Sequence, residues 1–283
     1  MYRALFLLSC VCLGSSAAAG DLRPPQRVMS INMCTDALAV ELLPPSRIAS
    51  LTYLSRESNN SFYWPRALHL PVNYGTAEEV LIAKPDLVLS GTYTTPATRE
   101  LLKQMHIPLL EVPPARNFAE ISAITRQVSQ KLGVPEKGAL ILQQMDKTIA
   151  GLSITAPRPA IRVAAWGEGG RVPDKDSLFD AVLTAAGGIN IAASVPGLRS
   201  AGFDLEQVLV ARPQVLAYGR NEANAPALHT GDSENPLIAR LYPHQRITYP
   251  ETLYSCGTPA LALAARALRE KLLAAVASPG PKS

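Results

Sequence analysis

The chain lacks the motifs that mark most hydrolases, metalloproteases and nucleotide-binding enzymes. It has no G-x-S-x-G nucleophile elbow, no H-E-x-x-H zinc motif and no G-x-x-x-x-G-K-[ST] phosphate loop. These absences predict that the chain is not an enzyme and carries no catalytic residues. An exported α/β hydrolase is the alternative from another functional class, and the missing elbow motif argues against it.

Basic residues and histidines are scattered along the chain. The 27 lysines and arginines include no run of five or more, so we expect no nucleic-acid partner. The histidines are His69, His106, His229 and His244, and no two of them are three or four residues apart. We therefore expect neither a dedicated zinc site nor a resident cofactor. A single His or Tyr as an axial ligand of haem iron stays open.

Residues 1–20 have the pattern of a secretory signal peptide. Arg3 supplies the positive charge, residues 4–13 are apolar, and Ala17-Ala18-Ala19 offers a cleavage site. The apolar stretch is too short to cross a bilayer as a helix. We predict a cleaved signal, a periplasmic mature protein and no stable membrane insertion. The alternatives are a buried N-terminal helix and a lipoprotein modified at Cys10.

Cysteine is scarce in the mature chain. Of the four cysteines, Cys10 and Cys12 leave with the signal, and Cys34 and Cys256 remain. An even number of cysteines in an oxidising compartment predicts a disulfide between these two. Two free structural thiols, or a thiolate site for a soft metal, are the alternatives.

Two segments of the chain have closely similar sequences. Residues 76–91 are TAEEVLIAKPDLVLSG and residues 204–219 are DLEQVLVARPQVLAYG, with an ungapped offset of 128 (204 minus 76). Each copy predicts a short amphipathic helix that ends before a proline, followed by an apolar strand that ends at a glycine. The offset is too long for a solenoid, whose repeats span about 20–50 residues. The repeat therefore predicts two similar α/β lobes.

Strands alternate with helices through both halves of the chain, which predicts parallel sheets. Between the halves, residues 136–152 place apolar side chains on one helical face, and such a helix would be roughly 25 Å long. We predict an N-terminal lobe at 21–133, a linking helix at 134–156 and a C-terminal lobe at 157–283.

Two local predictions concern the first lobe. Thr35 is predicted to cap a helix that continues to Leu43. Residues 52–75 show no regular period and predict a long polar and aromatic loop, of a length that is usually functional or disordered.

Four segments resemble class III periplasmic substrate-binding proteins, the receptors of ABC importers for vitamin B12, ferric siderophores and haem. They are Arg27-Val28-Met29-Ser30, the block at 75–88, the linking helix and the block at 204–209. The resemblance implies an α/β fold of two similar Rossmann-like lobes with parallel sheets, joined by a single long helix. It also implies a shallow ligand cleft between the lobes. Cys34 and Cys256 depart from the vitamin B12 and siderophore receptors of this family.

Ligands of open parallel sheets bind beyond the carboxyl ends of the strands. Tyrosine and tryptophan at these ends offer a flat apolar face with a polar edge. Arginine can form charged hydrogen bonds with carboxylates or with an anionic chelate. The predicted ligand-binding residues are Tyr53, Tyr74, Tyr93, Trp166, Arg171, Tyr218, Arg220 and Tyr254. Arg56 and Arg199 are further basic candidates.

The resemblance implies a monomeric receptor that captures an iron chelate of the ferric-siderophore kind and delivers it to an ABC importer. A corrinoid such as cobalamin, or haem, is the alternative ligand, because all three need aromatic walls and a few polar anchors. The family also implies that an acidic group on each lobe docks on the permease subunits. Glu100 and Glu234 are the candidates for this role.

Overall fold

The fold consists of two parallel β-sheets, each with helices packed on its faces. The structure is a computed structural model and describes residues 23–58, 60–166, 172–191, 206, 210–220 and 236–278. The predicted signal peptide lies outside these residues.

The first sheet has five parallel strands in the order β3-β2-β1-β4-β5. Its strands are β1 (Val28–Ser30), β2 (Ile48–Thr52), β3 (Val72–Asn73), β4 (Leu87–Gly91) and β5 (Leu109–Val112). The helices of this half are α1 (Met33–Leu42), α2 (Trp64–Ala67), α3 (Ala77–Ala83), α4 (Pro96–Gln104) and α5 (Phe118–Lys131). The central strands are buried along their length, as expected when helices cover both faces.

Within the described residues, the second sheet has four parallel strands in the order β7-β6-β8-β9. Its strands are β6 (Ile161–Trp166), β7 (Gly188–Asn190), β8 (Val215–Arg220) and β9 (Arg246–Pro250). Among the described residues of this half, the helices with defined bounds are α7 (Leu178–Ala185), α8 (Pro236–Leu241) and α9 (Leu261–Ala277). The β2-β1-β4-β5 part of the first sheet has the same order, so the two lobes share one topology.

The sequence repeat has a structural counterpart in the two sheets. Strand β4 lies beside β1, and the repeated strand β8 lies in the same place beside β6. Lys84 and Arg212, which precede the prolines of the two copies, both have a left-handed φ of 46°. This backbone conformation is uncommon outside glycine, and its occurrence at both positions shows that the copies turn in the same way.

One helix connects the lobes. Helix α6 (Pro135–Ile154) follows the last strand of the first sheet and precedes the first strand of the second sheet. It packs against α5 of one lobe and α9 of the other. One apolar core runs from the first sheet through these helices to the second sheet, with Leu132, Leu142 and Leu268 among its buried members. The prediction of two lobes joined by a single long helix is confirmed.

Arg269 of α9 ties this helix to the ends of two others. The residue is buried, and its guanidinium donates to the backbone oxygens of Leu152 at 2.9 Å, Thr155 at 2.8 Å and Ala185 at 3.2 Å. Carbonyls at the end of a helix lack partners within that helix. The arginine supplies those partners and so fixes α9 against α6 and α7.

The lobes also meet on the side where the strands end. Cys34, at the start of α1, forms a disulfide with Cys256, which follows β9, and their Cα atoms are 5.0 Å apart. Beside it, a Cβ on Gly257 would lie 2.5 Å from the Cβ of Ala115 in the first lobe. Only a residue without a side chain allows this close approach. The disulfide therefore forms a second covalent connection between the lobes.

Two local predictions for the first lobe were wrong. Helix α1 begins at Met33, and its N-cap is Asn32, whose side chain accepts from the backbone nitrogens of Cys34 and Thr35. Thr35 instead lies within the helix, where its hydroxyl contacts Ser30 at 2.7 Å. The segment predicted as one loop at 52–75 contains a 3-10 helix (Tyr53–Arg56), α2 and β3. Its short elements are too brief to show a sequence period.

We expect the mature protein to titrate with no free thiol when denatured without reductant, and with two after reduction. Cys34→Ser should lower the free energy of unfolding by roughly 2–5 kcal/mol, because the disulfide closes a long loop in the unfolded chain. Urea unfolding measures this difference. The control is the parent in excess reductant, which should match the variant. Two free thiols in the unreduced parent would show that the bond does not form.

Candidate functional site

The site begins at the point where the strand order of the first sheet changes direction, between β1 and β4. Such switch points are where open α/β sheets bind ligands. Asn32 follows β1 and lies against Gly91 at the end of β4, where an added Cβ would be 2.6 Å from the Asn32 side-chain nitrogen. The glycine thus leaves room for the asparagine that caps α1.

Tyr53 and Tyr74 form an exposed aromatic pair at the carboxyl ends of β2 and β3. Their ring centroids are 5.1 Å apart and the rings are inclined by 29°. Tyr53 is 41% exposed and Tyr74 is 71% exposed. Large aromatic side chains at this exposure are available to a ligand, and the pair offers a flat apolar surface with phenol edges.

Tyr74 is held by a well-bonded turn. Its backbone nitrogen donates to the Glu79 carboxylate at 2.9 Å, and the same carboxylate completes the capping box of α3 with Thr76. Gly75 follows with a φ of 76°, a conformation that favours glycine. Asn73 anchors the turn by donating to the Ser30 oxygen at 2.9 Å. The tyrosine is therefore carried by a rigid backbone.

Tyr93 also lies at this edge of the sheet, in the turn after β4. It is 84% exposed. The neighbouring turn is fixed by Thr94, whose side-chain oxygen accepts from the Gly91 nitrogen at 3.1 Å. The three predicted tyrosines of the first lobe are therefore all accessible, and Tyr53 and Tyr74 touch each other.

Trp166 and Tyr218 are neighbours across β6 and β8, and their rings stack at 5.2 Å with an inclination of 7°. Trp166 is only 8% exposed and belongs to a cluster with Leu216 and Ile238 on the α8 side of the second sheet. Tyr218 is half-buried against the same cluster. Their burial favours a packing role for Trp166, and Tyr218 covers it.

Tyr254 lies at the end of the 3-10 helix Glu251–Tyr254 and packs into an aromatic cluster. Its ring is 5.5 Å from Phe179 and 5.2 Å from Tyr249. Burial raises the pKa of the Tyr254 phenol. The side chain is half-buried, so the larger part of its contact surface is already covered by the protein.

The structure describes only some of the charged residues predicted for the site. Arg171 and Glu234 lie outside the described residues, as does Arg199, and for Arg220 only the backbone at the end of β8 is described. Arg56 donates to the backbone oxygen of Leu70, so it helps to fix the segment before β3.

Asp36, in the first turn of α1, is a buried carboxyl beneath the site. It is 1% exposed, and it accepts from the Thr52 nitrogen at 3.1 Å and from the Thr52 hydroxyl. Burial raises the pKa of Asp36 to about 7, and hydrogen bonds from Ser30 and Thr52 oppose this rise. The residue joins α1 to the strand end that carries Tyr53. The apolar residues that surround it in sequence were the only available signal of its burial.

Replacing Asp36 with Asn should remove a pH-dependent part of the stability. The pKa of Asp36 is 3.8 in the unfolded reference and about 7 in the fold, so its favourable contribution is complete below pH 3.8 and declines as the pH rises to about 7. Relative to Asp36→Asn, the parent should lose on the order of 3 kcal/mol across this window. Urea unfolding at several pH values tests this. Asp146→Asn, at an exposed position of α6, is the control.

Among the described residues, no helix combines the length and the apolar character needed to cross a bilayer.

The comparisons with solved structures identify proteins of the same fold. The haem-binding protein RhuT from Roseiflexus sp. RS-1 is 20% identical, with a TM-score of 0.71 over 89% of this chain and 99% of that chain. The haem-binding protein HutB of Vibrio cholerae is 16% identical, with a TM-score of 0.72 over 87% and 98%. The vitamin B12-binding protein BtuF of Vibrio cholerae is 19% identical, with a TM-score of 0.67 over 89% and 98%.

A comparison with curated proteins found no match. The family profile described as "Periplasmic binding protein" matches residues 69–232, more than half of the chain. This span includes the first copy of the repeat, the linking helix and the second copy. The chain therefore belongs to the periplasmic binding protein family, whose members are the ligand-binding components of transporters.

Proposed function

We propose that this protein captures an iron chelate of the ferric-siderophore kind in the periplasm and delivers it to an inner-membrane ABC importer. Membership of the family supports the transport role and the compartment. The observation that favours a chelate with a flat organic face is the exposed, stacked pair of Tyr53 and Tyr74 at the end of the first sheet. The signal peptide at 1–20 would provide the export.

The described part of the first-lobe edge is rich in phenol and amide groups. Tyr53, Tyr74 and Tyr93 are exposed there, whereas Arg56 is bonded to the backbone. Phenol rings bind a conjugated or apolar face by stacking, and their hydroxyls can bond to polar atoms at its rim. This composition fits a chelate whose metal is wrapped by organic rings better than a bare metal ion or a small anion.

A tetrapyrrole, either a corrinoid or haem, is the second candidate. A specific observation favours it: RhuT and HutB are described as haem-binding and BtuF as vitamin B12-binding, and all three share the fold. A tetrapyrrole would also present a flat face to the stacked tyrosines. Visible absorbance of the protein purified from its own periplasm separates these ligands, because ferric catecholate, corrinoid and haem have different bands.

For docking on the importer, the repeat suggests a pair of residues other than Glu100 and Glu234. If the two permease subunits are alike, they present the same surface twice, and equivalent positions on the two lobes can then meet it. The offset of 128 equates Glu78 with Glu206, and both are exposed. Glu100 is instead paired with Lys103 at 3.1 Å. We therefore favour Glu78 and Glu206 as the docking pair.

We expect Tyr74→Ala and Tyr53→Ala each to weaken binding of the best ligand about thirtyfold, because aromatic anchors often contribute about 2 kcal/mol. Titration with ferric siderophores, cobalamin and haem measures the affinity. Both residues are exposed, so thermal unfolding should change little.

Trp166→Ala and Tyr254→Ala are the matched aromatic variants for this experiment. Their side chains are packed in the second lobe, so they should mainly lower the unfolding temperature. If both first-lobe variants bind the best ligand as tightly as the parent, the aromatic-face proposal is wrong. If none of the ligands binds the parent, the chelate proposal itself is wrong.

Charge reversal at Glu78 and Glu206 should weaken the interaction with the importer without changing ligand affinity. We expect the double Lys variant to lower binding to the reconstituted importer on the order of tenfold, with a strong dependence on salt, because like charges would then meet at the docking surface. The control is the double Lys variant at Glu100 and Glu234. A greater loss in that control would favour the pair predicted first.

A further inference from the structure

Two aliphatic residues at equivalent positions of the repeat are almost fully exposed. Ile82 of α3 is 81% exposed, and Val210, which is 128 residues further along the chain, is 84% exposed. Within the described part of the chain, Ile154 is the only other large aliphatic residue that is more than four-fifths exposed. A single exposed aliphatic residue is ordinary on a protein surface. Its recurrence at the same place in both lobes indicates a shared role.

The neighbouring residues show that both side chains lie on the outer side of their helices. Ala83 packs against a core cluster of the first lobe, and its counterpart Ala211 packs against a core cluster of the second lobe. Val80 is fully buried on the core side of α3. Ile82 and Val210 therefore contribute to neither core. Isoleucine and valine are also poorer helix formers than alanine or leucine, so helix stability does not account for them.

Each exposed aliphatic residue follows an exposed glutamate by four residues. Glu78 precedes Ile82, Glu206 precedes Val210, and all four residues are helical and exposed. Side chains four residues apart on a helix are neighbours, about 6 Å apart along the helix axis. Each lobe therefore carries an acidic and an apolar side chain at the same helical spacing.

We propose that Ile82 and Val210 are the apolar part of the surface that docks on the importer, where each enters an apolar recess of one permease subunit. The inference rests on the proposed function, which supplies the partner and the acidic pair. Two lobes of one topology offer equivalent contacts to a partner that presents the same surface twice, as two identical permease subunits do. Each recess should lie beside a basic side chain, because each aliphatic residue lies beside a glutamate. A second copy of this chain fits less well, since its own glutamates would repel those of the first.

Ile82→Thr and Val210→Thr test this surface, because threonine keeps the branched side chain and makes it polar. Each variant should weaken binding to the reconstituted importer about tenfold, through the loss of apolar burial. The double variant should weaken it about a hundredfold, because the effects of distant sites add. The matched control is Ile154→Thr, at a position that is 85% exposed and lies outside the repeat, and it should leave the affinity unchanged.

The salt dependence separates the apolar contact from the acidic one. The loss in the double Thr variant should be equal at low and high salt, because apolar contacts are not screened. The loss on charge reversal at Glu78 and Glu206 should instead depend strongly on salt. Chelate affinity and the unfolding temperature of the Thr variants should match those of the parent, which a general structural defect would not allow.

The outcomes separate this inference from the function it rests on. If the parent binds the importer and the double Thr variant binds equally well, or if only one of the two positions matters, the inference is wrong and the delivery role stands. If the parent binds no chelate but docks as described, the chelate proposal is wrong and the docking surface stands. A parent that does not bind the importer overturns both the delivery role and the docking surface. Sedimentation of the parent as a dimer, with the double Thr variant monomeric, would assign the surface to self-association and overturn the inference.

Discussion

The relative position of the two lobes is the constraint on which the rest of this structure depends. Two connections between the lobes fix that position. Helix α6 joins them on one side by packing against α5 and α9. On the other side, the Cys34–Cys256 disulfide joins the start of α1 to the segment after β9. A single helix would permit bending at its ends, whereas two separate covalent connections oppose it. The buried core that continues between the lobes adds to the same restraint.

This restraint places the ends of the strands opposite one another, and the candidate site is built there. The first-lobe edge is stiffened from below by Asp36, which bonds to Thr52, and by Asn73, which bonds to Ser30. Exposed tyrosines lie on this edge, and ordering them on binding would cost little because their backbone is already fixed. The proposed binding residues and the residues that support them are therefore neighbours in the same turns.

The architecture could be predicted from the sequence because its signals are local and repeated. The paired segments at 76–91 and 204–219 each predict a helix that ends before a proline, followed by a strand. Lys84 and Arg212, which precede these prolines, both have a left-handed backbone, so the two turns after the helices have the same conformation. Strand β3, which lies in the segment predicted as a loop at 52–75, was missed because it has only two residues. Strands this short depend on pairing with their neighbours, which a sequence window does not contain.

The candidate site was predictable only in part, because position at a strand end does not specify which way a side chain points. Tyr53 and Tyr74 follow their strands and project from the edge, where they are exposed. Trp166 is the last residue of β6 and alternates with Ala165, so it lies on the sheet face toward α8 and is buried. The exposure of Trp166 therefore depends on which face of β6 its side chain occupies and on whether α8 packs against that face. Neither can be predicted from the fact that Trp166 ends a strand.

The second connection between the lobes has a consequence for how an importer could recognise a loaded receptor. In a receptor whose lobes close on ligand binding, the distance between the two outer surfaces differs between the empty and the loaded form. With the lobes tied on both sides, we expect the empty and loaded forms to differ little in that separation. Recognition of the loaded form would then depend largely on the bound molecule, through the part of it that stays exposed at the mouth of the cleft.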